Sequence, residues 1–180
     1  MTIVETLLEI AKYTVPAIVV LLATYLIVKK FLVTEIQRKQ LAIFQEGLDT
    51  TLRLRLQAYE RLSLFIERIH PRQLVPHVYQ TGMKVRELQY ALVQTIRTEF
   101  EHNLSQQIYV SKEVWKTVSG VMEQELAMIN NIASQMNPDA PARDLHQRIV
   151  EYVMQADDTP NEIALDVINN EAKYVLAQKA

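Results

Sequence analysis

At 180 residues and a formal charge of −2, the chain has room for one ordinary domain plus an anchor, and it lacks the basic excess that a nucleic-acid partner demands. With 0 cysteines, disulfides, thiolate nucleophiles and Cys-ligated zinc or iron–sulfur sites are excluded. Only 3 glycines punctuate a composition rich in Leu, Val, Ile, Ala, Glu and Gln, which favours helix over turn-rich β structure. The expected fold class is all-α: an N-terminal transmembrane helix continuing into a long helix and an antiparallel helical bundle.

Thr2 and Glu5 have the spacing of a capping box, so helix is expected from the start of the chain. Tyr13 to Val28 carries no charge over 16 residues, and Ile10 to Val33 stays apolar if Lys12, Lys29 and Lys30 carry their ammonium groups out to lipid headgroups. Those 24 positions reach about 36 Å, enough for a hydrocarbon core of roughly 30 Å with some tilt. Pro16 predicts a mild kink, which spanning helices tolerate. A buried core helix would show a polar face. Val15 to Val28 shows none beyond Thr24 and the amphipathic Tyr25. A secretory signal would begin with positive charge and end at small residues, and neither pattern is present, so the anchor is expected to stay uncleaved.

Positive charge gathers on the C-terminal flank of this segment, at Lys29, Lys30, Arg38 and Lys39, whereas the other flank sets Lys12 against Glu5 and Glu9. By the positive-inside rule the N-terminus lies outside and the remainder in the cytoplasm, on an inner (cytoplasmic) membrane. Lys12, Lys29, Lys30, Arg38 and Lys39 are therefore the expected membrane-flanking residues, with lipid as a partner. The domains divide as an anchor over 1–33 and a cytoplasmic helical domain over 34–180.

Within that domain Leu41, Phe44, Leu48, Leu52, Leu56, Tyr59, Leu62, Ile66 and Ile69 recur at a mean spacing of 3.5, the period of helices that pack at shallow angles. They predict a helix over 34–69; if the anchor runs into it unbroken, Lys29 to Ile69 extends about 60 Å from the lipid. The stretch His70-Pro71-Arg72-Gln73-Leu74-Val75-Pro76-His77 reads as a break, because each proline disfavours helix in the residue before it. A helix over 84–109 follows, with Val85, Leu88, Leu92, Ile96, Phe100 and Leu104 inward. Ser111 is the expected N-cap of the next, 112–136, which carries Trp115, Val118, Met122, Leu126, Ile129, Ala133 and Met136 inward. Asn137 to Pro141 ends it. A shorter helix over 142–156 presents Leu145, Ile149, Tyr152, Val153 and Ala156. Thr159-Pro160-Asn161-Glu162 then combines an N-cap, a proline at the first helical position and a glutamate at the third, opening a helix over 160–178.

Over its whole length, and most clearly at Glu99-Phe100-Glu101-His102-Asn103-Leu104-Ser105-Gln106-Gln107-Ile108-Tyr109-Val110-Ser111, the chain resembles a bacterial family of short, single-pass membrane-anchored proteins known only as a domain of unknown function. The resemblance implies an anchor plus a helical part, and it brings no activity.

Two Glu-x-x-His pairs, Glu67/His70 and Glu99/His102, have the spacing that holds paired metals in di-iron helical bundles. At about 100° per residue neither pair turns both side chains toward one helix interior, so a metal-binding bundle enzyme is the most remote reading and no metal ligand is assigned. His77 in the proline stretch and His146 near a helix start read as solvated positions. No glycine-rich phosphate loop, Gly-x-Ser-x-Gly elbow or His-Glu-x-x-His occurs. Trp115 has two readings, a large core anchor and a partner-binding hot spot. The sequence therefore points to a membrane-anchored helical scaffold or interaction protein, without enzymatic activity or cofactor. An accessory subunit of a larger transport, secretion or respiratory membrane complex is the alternative, and a protein partner or self-association fits either reading.

Overall fold

The computed structural model describes residues 3–155 and 159–177, and every described element is helical. Six α-helices are present among those residues: α1 (Ile3–Ile69), α2 (Pro71–Val78), α3 (Val85–Asn103), α4 (Lys112–Ser134), α5 (Ala142–Met154) and α6 (Pro160–Ala177). The all-α fold with a long apolar N-terminal helix is thus as expected. The proposed Thr2/Glu5 capping box, Ala156 and Gln178 lie outside what is described.

The chain divides into two compact units, Met1–Thr50 and Thr51–Ala180. In the first, α1 contains an 18-residue window long and apolar enough to cross a membrane, and none of that window is buried. Pro16 sits inside the helix without ending it. The heptad stripe does not begin packing where its periodicity begins. Leu41, Phe44 and Leu48 remain exposed, and burial starts only beyond Leu52, at Ala58, Tyr59 and Leu62. The compact units divide at 50/51, and the stripe is buried only beyond that point, because a stripe becomes a core only where partner helices reach it.

In the second unit Leu62, Phe65, Ile66 and Ile69 of α1 pack with Leu88, Leu92 and Ile96 of α3, Val118 and Ile129 of α4, Leu145 and Ile149 of α5, and Ile168 of α6 in one core. Aromatic rings run through it in sequence: Phe65 lies 5.8 Å from Phe100, and Phe100 stacks on Trp115 at 5.4 Å. The two predicted caps that fall among the described residues form. Ser111 Oγ accepts from the Val114 amide at 3.1 Å. The Glu162 amide donates to Thr159 Oγ1 at 3.3 Å while the Thr159 amide donates to Glu162 Oε2 at 2.9 Å, a complete capping box.

Four expectations are corrected. The His70–His77 stretch is a two-turn helix, α2, because Pro71 occupies the first helical position, where no N–H is needed, and His70 Nδ1 accepts from the Arg72 amide at 3.1 Å. The helix expected over 84–109 ends at Asn103 and tightens into a 3-10 turn over Leu104–Ile108. Asn103 Nδ2 donates back to the Glu99 carbonyl at 2.8 Å, offering the backbone a competing partner at that end. The tighter turn leaves Leu104 exposed and buries Gln106 instead. In α5, Val153 takes the interior and Tyr152 faces out. In α4 the buried face is Val114, Val118, Val121, Glu125, Ile129 and Ala133, displaced from the expected one so that Trp115, Met122, Leu126 and Met136 are only half-buried at the core's edge.

Two turns bring the helix ends together. Gly82 adopts a φ of 92°, a left-handed conformation that disfavours any residue with a Cβ, and so reverses the chain between α2 and α3. The Val85 amide donates to the Ala140 carbonyl at 3.0 Å and the Ala142 amide to the Met83 carbonyl at 2.9 Å, pinning the starts of α3 and α5 side by side. Lys84 and Arg86 each reach Asp139 at 3.0 Å across this junction.

Candidate functional site

The residues singled out in the sequence do not converge. Lys12, Lys29, Lys30, Arg38 and Lys39 are exposed along α1, where Lys29 lies over the Tyr25 ring at 5.9 Å and Arg38 pairs loosely with Glu35 at 3.8 Å. Trp115 is half-buried against the core with one face on Phe100. Of the Glu-x-x-His pairs, Glu67 accepts from Gln73 at 3.1 Å, Glu99 pairs with Arg68 at 3.4 Å, and His102 is exposed. Among the described residues no three potential metal ligands cluster. His146 sits 5.8 Å from the Tyr79 ring, and His77 is exposed.

Two polar groupings that the periodicity did not reveal lie within the second unit. One joins α1, α4 and α6. Glu171 accepts hydrogen bonds from the Tyr59 hydroxyl at 2.6 Å, from the Ser111 amide at 3.0 Å and from the Ser111 hydroxyl, with Arg55 at 3.8 Å. Arg55 Nε also donates to the Tyr109 carbonyl at 3.2 Å, so the guanidinium ties α1 to the turn before α4. Burial pushes the Glu171 carboxyl upward, but the donors from Ser111 and Tyr59 outweigh it and hold it below the ordinary range. Burial, and next the bond to Glu171, raise Tyr59 to about 12. Every member of this cluster is satisfied, so it acts as a clasp that locks helices together.

The other grouping borders a cavity of about 830 Å³, lined by His70 and Pro71 at the α1–α2 junction, by α4 from Gln124 to Asn131, by Tyr152 and Val153 of α5, and by Thr159, Pro160 and Asn161 at the start of α6. Glu125 is 5% exposed and Asn161 only 1%. Asn161 Nδ2 donates to the Ile66 carbonyl at 2.9 Å, satisfying one of the carbonyls left open at the end of α1. Its Oδ1 and the Oε2 of Glu125 have no partner, and they are the two such buried side-chain atoms among the described residues. Buried polar atoms are ordinarily hydrogen-bonded, so two orphans beside one cavity mark it out. Burial alone raises the Glu125 carboxyl from 4.5 to about 8. His70, with Nδ1 committed to the Arg72 amide, is held low by burial and next by the Arg72 charge, and so stays neutral.

Glu125 carried one signal in the sequence. It occupies the i+4 position after Val121 and the i−4 position before Ile129, a carboxylate in an apolar stripe. The neighbouring stripe through Trp115, Met122 and Leu126 is apolar throughout, and on periodicity alone it wins. Asn161 carried no signal beyond its place in the capping sequence.

No curated protein and no solved structure matches the chain. A family model described as a family of unknown function (DUF7935) matches residues 5–175, nearly the full length. The helical chain with its apolar N-terminal segment and buried acid therefore belongs to this family of unknown function.

Proposed function

We propose that this protein is a membrane-anchored helical interaction protein of a bacterial inner membrane, non-catalytic, with the N-terminus outside and the 51–180 unit in the cytoplasm. The observation that carries the reading is the contrast between the two ends of α1. The apolar window has no buried residue, whereas Leu62, Phe65, Ile66 and Ile69 are covered almost completely by other helices. An apolar face that the chain itself leaves bare takes its cover from lipid. Lys29, Lys30, Arg38 and Lys39 following the span support this orientation.

With 0 native cysteines, the orientation can be read from single substitutions. In spheroplasts, a membrane-impermeant maleimide is expected to label the Ile3→Cys variant directly and the Gln107→Cys variant only after lysis. Labelling in the reverse order would invert the topology, and release of the chain by alkaline carbonate would remove the anchor altogether.

A second reading, an accessory subunit of a larger membrane complex, is favoured by Leu41, Phe44 and Leu48, an apolar stripe that stays exposed. Purification at native level in mild detergent separates the two. Stoichiometric recovery of one defined membrane assembly is the result expected of an accessory subunit. Recovery of the chain alone or as a homo-oligomer supports a self-contained scaffold.

A further inference from the structure

The cavity beside α4 has a chemical asymmetry that selects its ligand. Both orphaned atoms, Glu125 Oε2 and Asn161 Oδ1, are acceptors in the ionised form of the site. Among the described residues no Lys, Arg or Asp lines the cavity, and the titratable groups facing it besides Glu125 are His70 and Tyr152. His70 uses Nδ1 as an acceptor for the Arg72 amide and so brings no positive charge. Glu162 lies outside the cavity wall and is committed to Thr159. Among the described residues neither a donor nor a cation reaches Oε2 of this carboxyl, which is 5% exposed.

We propose that this cavity binds a small primary amine, its ammonium group shared between the Glu125 carboxylate and the Asn161 amide oxygen and its apolar body against Met128 and Val153. An ammonium brings three donors and one positive charge, which are the two things the orphaned atoms lack. A phosphate or carboxylate would face two acceptors and no cation. A metal ion would need at least three firm ligands and finds one carboxylate and one imidazole, with no cluster of three among the described residues.

Binding requires Glu125 to release its proton. Below about 8, where burial keeps the carboxyl neutral, each pH unit lowers the ionised fraction, and with it the affinity, by about tenfold. The ligand itself stays protonated throughout, since a primary amine titrates near the lysine value of about 10.

The test uses the full chain in phosphatidylcholine nanodiscs, with n-butylamine as the probe and calorimetric titration at pH values of about 6, 7 and 8. The expected result is saturable binding that tightens about tenfold per pH unit, with 1-butanol and butyrate at least about tenfold weaker at the highest pH. Glu125→Gln, a neutral isostere that keeps the fold, is expected to lose both the affinity and its pH dependence. A primary ammonium also comes on an aminophospholipid headgroup. Affinity unchanged by phosphatidylethanolamine in the nanodisc marks a free amine as the source, whereas competition marks the headgroup, and either result supports the site. Equal binding of 1-butanol, absence of saturable binding, or full retention of amine affinity in Glu125→Gln overturns it.

Discussion

Glu125→Gln is expected to flatten a pH dependence of stability that in the native chain amounts to about 1.4 kcal/mol per pH unit between about 4.5 and about 8. The sign follows from burial. A carboxyl that sits at 4.5 in the unfolded chain and about 8 in the folded one binds its proton more tightly when folded. Its contribution is fully present below the unfolded value. As the pH rises, the unfolded chain ionises first and gains relative stability until Glu125 ionises in place, after which the loss is constant. Accumulated over the window, the loss is on the order of 5 kcal/mol, large against a domain stability of about 5–15 kcal/mol.

Other groups with shifted pKa values act differently and can be separated. Glu171, held low chiefly by Ser111 and Tyr59 against the effect of burial, adds stability that is lost only as the pH falls below about 4.5. His70, lowered by burial and next by Arg72, costs stability below about 6.5, where the unfolded chain takes up a proton that the folded imidazole resists, so its effect runs opposite to that of Glu125. The difference between native chain and Glu125→Gln therefore isolates Glu125. Urea unfolding of the full chain in dodecyl maltoside at pH values of about 5, 6.5 and 8 reads it. Parallel curves for the two proteins would show that the carboxyl is not desolvated as described.

Phe65→Ala is expected to cost about 3–5 kcal/mol. Phe65 is 1% exposed, the largest of the fully buried side chains, and its ring lies 5.8 Å from Phe100, which in turn stacks on Trp115. Truncation removes the contact that links α1 to α3 and leaves a void that the surrounding helices fill only in part. Leu64→Ala on the same turn is the control, because Leu64 is 49% exposed and its loss should stay within about 1 kcal/mol. The comparison uses unfolding midpoints at unchanged denaturant slope. Similar losses for the two variants would mean that this part of α1 is not held in the core.

The aromatic contact also shows where local pattern and packing part company. Phe100 and Trp115 were both legible as inward positions of their helices, and both meet the core, yet each is only half-buried. Periodicity locates an apolar stripe to within a residue or so and does not weigh two adjoining stripes against each other. In α4 the stripe with Trp115, Met122 and Leu126 has the larger side chains, and the stripe with Val114, Val121 and Glu125 has the interior. Smaller side chains there allow α4 to lie against α3 and α6, at the cost of drawing in a carboxyl.

The sequence by itself determined what depends on neighbours in the chain. The apolar window in α1, the Ser111 cap, the capping box at Thr159 to Glu162 and the buried series Val85, Leu88, Leu92 and Ile96 all follow from charge, side-chain donors and helical period over a few residues. Tertiary structure decided the rest. Only the approach of other helices left Leu41, Phe44 and Leu48 bare while covering Leu62 and Ile66, let a proline-flanked stretch persist as α2, and took Glu125 and Asn161 out of water to the edge of one cavity. Caps and periods are set within a turn or two of helix, whereas burial, and with it the chemistry of a carboxyl, is set by which distant surfaces close over it.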